Sequence, residues 1–167
     1  MIWPPTTTTT RRATSQDAAA ACKVVRHSIE HCGIEDHEGI STRLDAWLRN
    51  KTPDNFLAWM ERDDLCCVVA ESEAGVVGFG MASTAGKLLL CYAAPSVLYQ
   101  GVGKAVLQAI ERWAGGTGLT ELQLESTKTA LPFYRRNGFV ACGPVVTFAG
   151  MAGHPMRKLL SEATHTS

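Results

Sequence analysis

The stretch CYAAPSVLYQGVGKAVLQAIERWA, Cys91 to Ala114, reads as the end of a strand, a short glycine-bearing loop and the start of a helix. Val102, Ala105, Val106, Ala109, Ile110 and Trp113 fall at offsets 0, 3, 4, 7, 8 and 11, one face of an amphipathic helix. The first N–H groups of a helix lack intrahelical partners and sit at the positive end of its dipole, which makes the loop a candidate anion site. Gly101 and Gly103 carry no side chain to hold a phosphate away from the backbone. Two phosphate motifs fail here. A P-loop needs glycine where Leu98 stands and a hydroxyl where Ala105 stands, and a dinucleotide fingerprint needs a third glycine where Val106 stands.

Upstream, Leu65–Glu71, Val76–Ser83 and Lys87–Ala93 predict a three-stranded antiparallel meander with turns at Ala74–Gly75 and Ala85–Gly86. Thr8–Ala13 predicts a first strand. Thr14, with Asp17 three residues on, caps a helix carrying Ala18, Ala21, Cys22, Val25, Ile29 and Cys32 and stopped by Gly33. Ile34–Gly39 reads as a polar loop. Two further helices follow, Thr42–Arg49 and one capped by Thr52–Pro53 that carries Phe56, Leu57, Trp59 and Met60. Downstream, Gly115–Gly116 ends the long helix. Glu121–Glu125 predicts a strand, Thr129–Asn137 a helix, Phe139–Cys142 a strand that Val145–Phe148 prolongs, and Met156–Leu160 a last strand. Residues 1–7, with two prolines before a threonine run, read as a flexible tail, and 8–167 as a single domain.

Composition narrows the function. Of 167 residues, 46% are apolar and 19% charged, enough for one core and against disorder. Sixteen basic residues balance sixteen acidic ones, which argues against a nucleic-acid partner. No run approaches the roughly 18 apolar residues of a membrane span. The amino terminus lacks the apolar region of a secretory signal, so the expected location is cytoplasmic. The six cysteines form no C-x-x-C pair and read as reduced core or near-core residues, so no metal site is expected.

A second stretch carries chemistry: ELQLESTKTALPFYRRNGF, Glu121 to Phe139. Tyr134 lies in the first half of a short helix, where the positive helix end favours a transient phenolate and suits the side chain to proton donation. Together the two stretches resemble the GCN5-related N-acetyltransferase (GNAT) family over about residues 11–160. RRATSQDA resembles its first strand and helix cap, CYAAPSVLYQGVGKAVL its acetyl-CoA segment, FYRRNGF its tyrosine motif and MRKLL its last strand. The family pattern of Arg or Gln, two residues, Gly, one residue, Gly or Ala places Leu98 at the Arg/Gln position. The register Gln100–Gly103–Ala105 fits the letters only with a two-residue insertion. Thr127 stands where the family often has Asn.

The resemblance implies an α/β (α+β) fold. Its mixed, mostly antiparallel central sheet carries helices on both faces and is splayed between the fourth and fifth strands. It implies direct acetyl transfer from acetyl-CoA to a primary amine of a small molecule or peptide. The cofactor would be held by Tyr92, Ala93, Leu98, Tyr99, Gly101, Val102, Gly103, Lys104 and Thr127, with Tyr134 as acid for the leaving thiolate. Direct transfer leaves Cys91 without a nucleophilic role. The base is open among Glu125, His37 and Asp36, the strand KLLLCYA having no carboxylate. Each of the three reads otherwise as an exposed polar residue. Trp47, Phe56 and Trp59 lie where the acceptor is bounded, at spacing that also suits core. A homodimer is implied, and neither a nucleic-acid nor a membrane partner is expected. The alternative is a non-catalytic CoA-binding or regulatory domain of the same fold.

Overall fold

Residues 7–161 are described by a computed structural model. β1 (Thr9–Arg12) leads through a 3₁₀ turn at Ser15–Asp17 into α1 (Ala18–Cys32). Then come α2 (Ile34–His37), α3 (Ser41–Leu48) and α4 (Pro53–Met60). β2 (Leu65–Ser72), β3 (Gly75–Ser83) and β4 (Leu88–Ala93) form the meander, and α5 (Val102–Gly116) follows it. β5 (Glu121–Ser126), α6 (Leu131–Arg136), β6 (Val140–Ala141), β7 (Val146–Phe148) and β8 (Met151–Leu159) complete the chain.

β2 explains the layering. Its run LCCVVA is buried throughout, and pleating sends successive side chains to opposite faces. Cys66, Val68 and Ala70 join a core with α5, whereas Leu65, Cys67 and Val69 join one with α1 and α4. α5 comes close because β3 offers glycines beneath it. A Cβ on Gly80 would lie 2.5 Å from Val106 Cγ1, and one on Gly78 2.8 Å from Val102 Cγ1. At the other edge Arg11 forks onto Asp17 and Glu71, tying β1 to the start of α1 and to β2. The guanidinium holds the Asp17 carboxyl down at about 2.

The strands run β1-β2-β3-β4, all antiparallel, and separately β5-β8-β6, with β7 also paired to β8. Among the described residues the two sheets meet at one parallel bridge, Lys87 with Gln123, beside the bond from the Gln123 N–H to the Gly86 carbonyl at 2.8 Å. Past it β4 and β5 part. A bulge opposite Met81–Ala82 helps to turn β4, because it leaves Leu89 out of register. The sheet is therefore mixed, mostly antiparallel, covered on both faces and splayed between its fourth and fifth strands, as expected.

Several boundaries differ from the sequence reading. The Thr14 cap holds a 3₁₀ turn first, and its capping box with Asp17 is present. Ile34–His37 is a helical turn rather than loop. α5 runs through both Gly115 and Gly116 to Thr117, whose N–H and hydroxyl close onto Trp113 and Ala114 carbonyls. Val146–Phe148 does not prolong the preceding strand but forms a hairpin with β8, which starts at Met151 instead of Met156. The tail expected over residues 1–7 lies, except for Thr7, outside the described residues. We expect Gly80→Ala to cost about 1–3 kcal/mol by forcing α5 off the sheet. The check is a chemical denaturation midpoint, and an unmoved midpoint means that α5 has room to spare.

Candidate functional site

Where β4 and β5 diverge, a cleft of about 840 Å³ runs from the end of α1 across the gap to α5 and α6. Sheet pleating sorts its walls. Cys91 and Ala93 pack with the α5 core, as does Leu124 on β5, whereas Leu90 and Tyr92 pack with the α1 core. Glu125 alternates with Leu124 and Ser126, so it faces the side of α1 and α2.

One end of the cleft is the loop before α5. Tyr99 and Gly101 both take left-handed backbone conformations, φ +63° and +82°, and Tyr99 is 98% exposed. The first helical bond runs from the Ala105 N–H to the Gly101 carbonyl at 3.0 Å. Among the described residues the N–H groups of Val102, Gly103 and Lys104 meet no backbone acceptor, which leaves a run of helix-start donors facing out. A Cβ on Gly103 would touch the Phe133 ring at 3.4 Å. Unpartnered amides, the exposed Lys104 and no carboxylate between residues 92 and 104 suit a diphosphate.

The middle of the cleft is the free edge of β4. The Ala94 N–H donates to Val77, so alternate residues back along β4 face β3, and the main-chain groups of Cys91 and Ala93 face the gap. An extended ligand can pair there like an added strand. Across the gap stands Tyr134, buried, in edge contact with Phe133 and Phe139. Burial pushes its phenol well up, and the neighbouring Cys91 and Tyr92 add to the rise. The helix-end potential anticipated for Tyr134 is therefore outweighed by desolvation. The Cys91 thiol contacts the Gly103 carbonyl at 3.8 Å, and burial raises it to about 12, which keeps it a thiol rather than a nucleophile.

Tyr92, Ala93, Leu98, Tyr99, Gly101, Val102, Gly103, Lys104 and Thr127 all line this cleft, as do Tyr134 and Glu125. Thr127 turns its hydroxyl inward to accept the Ala130 N–H at 3.2 Å, so its oxygen starts the turn into α6. For two of the three residues weighed as the base, the reading as exposed polar side chains needs correction. His37 and Asp36 are not exposed: they retain 3% and 7% of their surface. His37 does not line the cleft. Its Nδ1 accepts the Gly39 N–H at 3.0 Å, which directs the ring proton to Nε2 and leaves no basic nitrogen facing an acceptor. Asp36 reaches the cleft wall but is engaged, with Oδ1 accepting the Lys128 and Thr129 N–H groups and Oδ2 the Thr129 hydroxyl at 2.6 Å. This tie is the feature that sequence reading missed. Of the aromatics, Trp47 lines the cleft, whereas Phe56 is fully buried and Trp59 packs on the α1 core.

Residues 35–160 match the family described as Acetyltransferase (GNAT) domain. The chain belongs to the GNAT acetyltransferase family. It is an N-acetyltransferase, and its cofactor is acetyl-CoA. No curated protein matches it. Among solved structures it is similar to a GCN5-related N-acetyltransferase from Rhodopseudomonas palustris, with TM-score 0.81 and 23% identity over 96% of this chain and 99% of that one. It is also similar to the PaiA N-acetyltransferase of Thermoplasma acidophilum in complex with coenzyme A, with TM-score 0.75 and 20% identity over 92% and 99%. A third is yncA, a putative acetyltransferase of Salmonella typhimurium with acetyl-CoA, with TM-score 0.72 and 18% identity over 96% and 98%. At these identities the likeness carries the fold. For this GNAT chain we expect Gly103→Trp to weaken acetyl-CoA binding at least about tenfold, since an indole at the helix start blocks backbone approach. Titration calorimetry on the folded variant measures it, and an unchanged Kd moves the phosphate site elsewhere.

Proposed function

We propose that the protein moves an acetyl group directly from acetyl-CoA to a primary amine of a small molecule or peptide, with Tyr134 as the general acid. The observation that carries this reading is the convergence of three features on one gap: the amide-lined loop, the free edge of β4 and the Tyr134 phenol. Acetyl-CoA, when bound, supplies a thioester carbonyl open to attack by an amine. The amide run at Val102–Lys104 would hold the diphosphate, with Lys104 adding charge, and the Cys91 and Ala93 edge would align the extended arm. A main-chain N–H of that edge would be available to the carbonyl oxygen and would stabilise its growing charge.

As the C–N bond forms and the C–S bond breaks, one proton must leave the amine and one must reach sulfur. Tyr134 suits the second task because its buried phenol is protonated at neutral pH. Glu125 suits the first, directly or through a water, because it is the exposed carboxylate on the acceptor side of β5. We extend the reading to a single domain over 8–167 that is cytoplasmic, in keeping with its free cysteines. It works as a homodimer, for which the exposed apolar edge at Val140, Val145, Val146 and Phe148 is suited. No described helix is long and apolar enough to cross a membrane.

Thiol release from acetyl-CoA against an amine panel tests the activity. Tyr134→Phe is expected to lower kcat by about 100-fold or more while acetyl-CoA affinity stays close to the parent. Equal kcat removes the phenol from the chemistry. Glu125→Gln is expected to abolish the acidic limb of the pH–rate profile, and a retained limb assigns that proton to water.

A further inference from the structure

The cleft's charges are segregated by sheet face. Lys104 on α5 and Arg136 on α6 belong to the side that carries the phosphate loop. On the opposite side the lining carboxylates are Glu35, Asp36 and Glu125. Asp36 is consumed by its three bonds to the Lys128–Thr129 segment, which leaves Glu35 and Glu125, both exposed, free to meet a ligand. No lysine or arginine side chain lines this side among the described residues, and the one imidazole is that of His31. Nearby Arg43 is paired with Glu38 at 3.0 Å and lies against Gly150. The rest of this side is apolar: Trp47 and Tyr92, which pack with the α1 core, line the cleft together with Ile34, which is 57% exposed. Burial raises the Tyr92 phenol to about 12, so it adds no charge to this wall.

We propose that the acceptor is a small cationic amine with an apolar body and no carboxylate beside the amine, recognised by Glu35 and Glu125 and by the Trp47–Tyr92 wall. This rests on the acetyl-transfer reading and narrows its substrate class. An ammonium approaching two carboxylates is drawn in. A free amino acid brings a carboxylate with its amine, finds no fixed cation to pair it, and meets like charge instead. Aromatic or branched bodies gain by covering Ile34, which polar-bodied amines do not.

The test compares matched pairs that differ only in the carboxylate: tryptamine with tryptophan, and phenethylamine with phenylalanine. Thiol release from acetyl-CoA is followed at about pH 8, above the ordinary imidazole range. We expect kcat/KM to favour the amine by at least about tenfold in each pair. Glu35→Gln is expected to raise KM for tryptamine several-fold and to shrink the amine-to-amino-acid ratio, with acetyl-CoA Kd from calorimetry verifying that the cofactor half is intact. Equal or better use of the amino acids, or a Glu35→Gln ratio equal to the parent's, overturns the proposal and leaves the acetyl-transfer reading standing. So does tight acetyl-CoA binding with turnover of polar amines alone. Absence of acetyl-CoA binding overturns both.

Discussion

Two neighbouring strands that share one bridge and then separate set the terms for everything else in this protein. Backbone N–H and C=O groups need partners, and a strand edge left open inside a fold is a standing demand for one. β4 pairs with β3 except at the Leu89 bulge, whereas among the described residues the two sheets share only the Lys87–Gln123 bridge just before β4, so the outward groups of Cys91 and Ala93 are left open. The same opening brings the loop before α5 and the phenol of Tyr134 to its rim. A substrate with an anionic head and an extended amide-bearing arm satisfies both demands at once, and this is why the family's cofactor and this gap suit each other.

The gap stays open because its borders are held from outside. On one side α5 is drawn onto β3 by Gly78 and Gly80, where even a methyl group would collide with Val102 or Val106. That contact fixes the height of the helix start above β4, and with it the unpartnered amides of Val102, Gly103 and Lys104. On the other side Asp36 fastens α2 to the segment after β5, across 93 positions of sequence. A buried carboxylate with three donors is a costly group to leave unpaired, so the tie is strong in both directions. The two borders are made of different physics, steric fit and charge-assisted hydrogen bonding, yet both act on the ends of the diverging strands.

The division also explains what could be read from the sequence. The cofactor half is local. Its loop, its helix start and the strand before it are contiguous, so the spacing of Gly101, Gly103 and the apolar face of α5, joined to the family resemblance, gives an expectation for it from sequence. The meander was legible for the same reason, through turns at Ala74–Gly75 and Ala85–Gly86. The acceptor half is assembled from distant pieces. IEDHEG is polar in composition and reads as solvent-facing, yet Asp36 and His37 are buried because their partners and cover come from elsewhere in the chain. Gly115 and Gly116 misled in the opposite way. A helical glycine costs about 1 kcal/mol relative to alanine, but Trp113 and Ala114 anchor that turn to the core and the helix runs on.

Beyond the backbone, the cleft is a device for separating charge. The protein as a whole is neutral, with sixteen residues of each sign, so no net field draws a ligand in. The sorting occurs inside the cleft. Pleating places Leu124 and Glu125 on opposite faces of one strand, so a single register decides which face gains a carboxylate. A one-residue slip of β5 would bring Glu125 to the side of the loop before α5 and would turn Leu124 toward α1 and α2. The register that buries Leu122, Leu124 and Ser126 is thus the one that keeps this carboxylate off the α5 side of the cleft. Apolar burial, the largest force in folding this sheet, thereby fixes the electrostatic polarity of the site as a consequence.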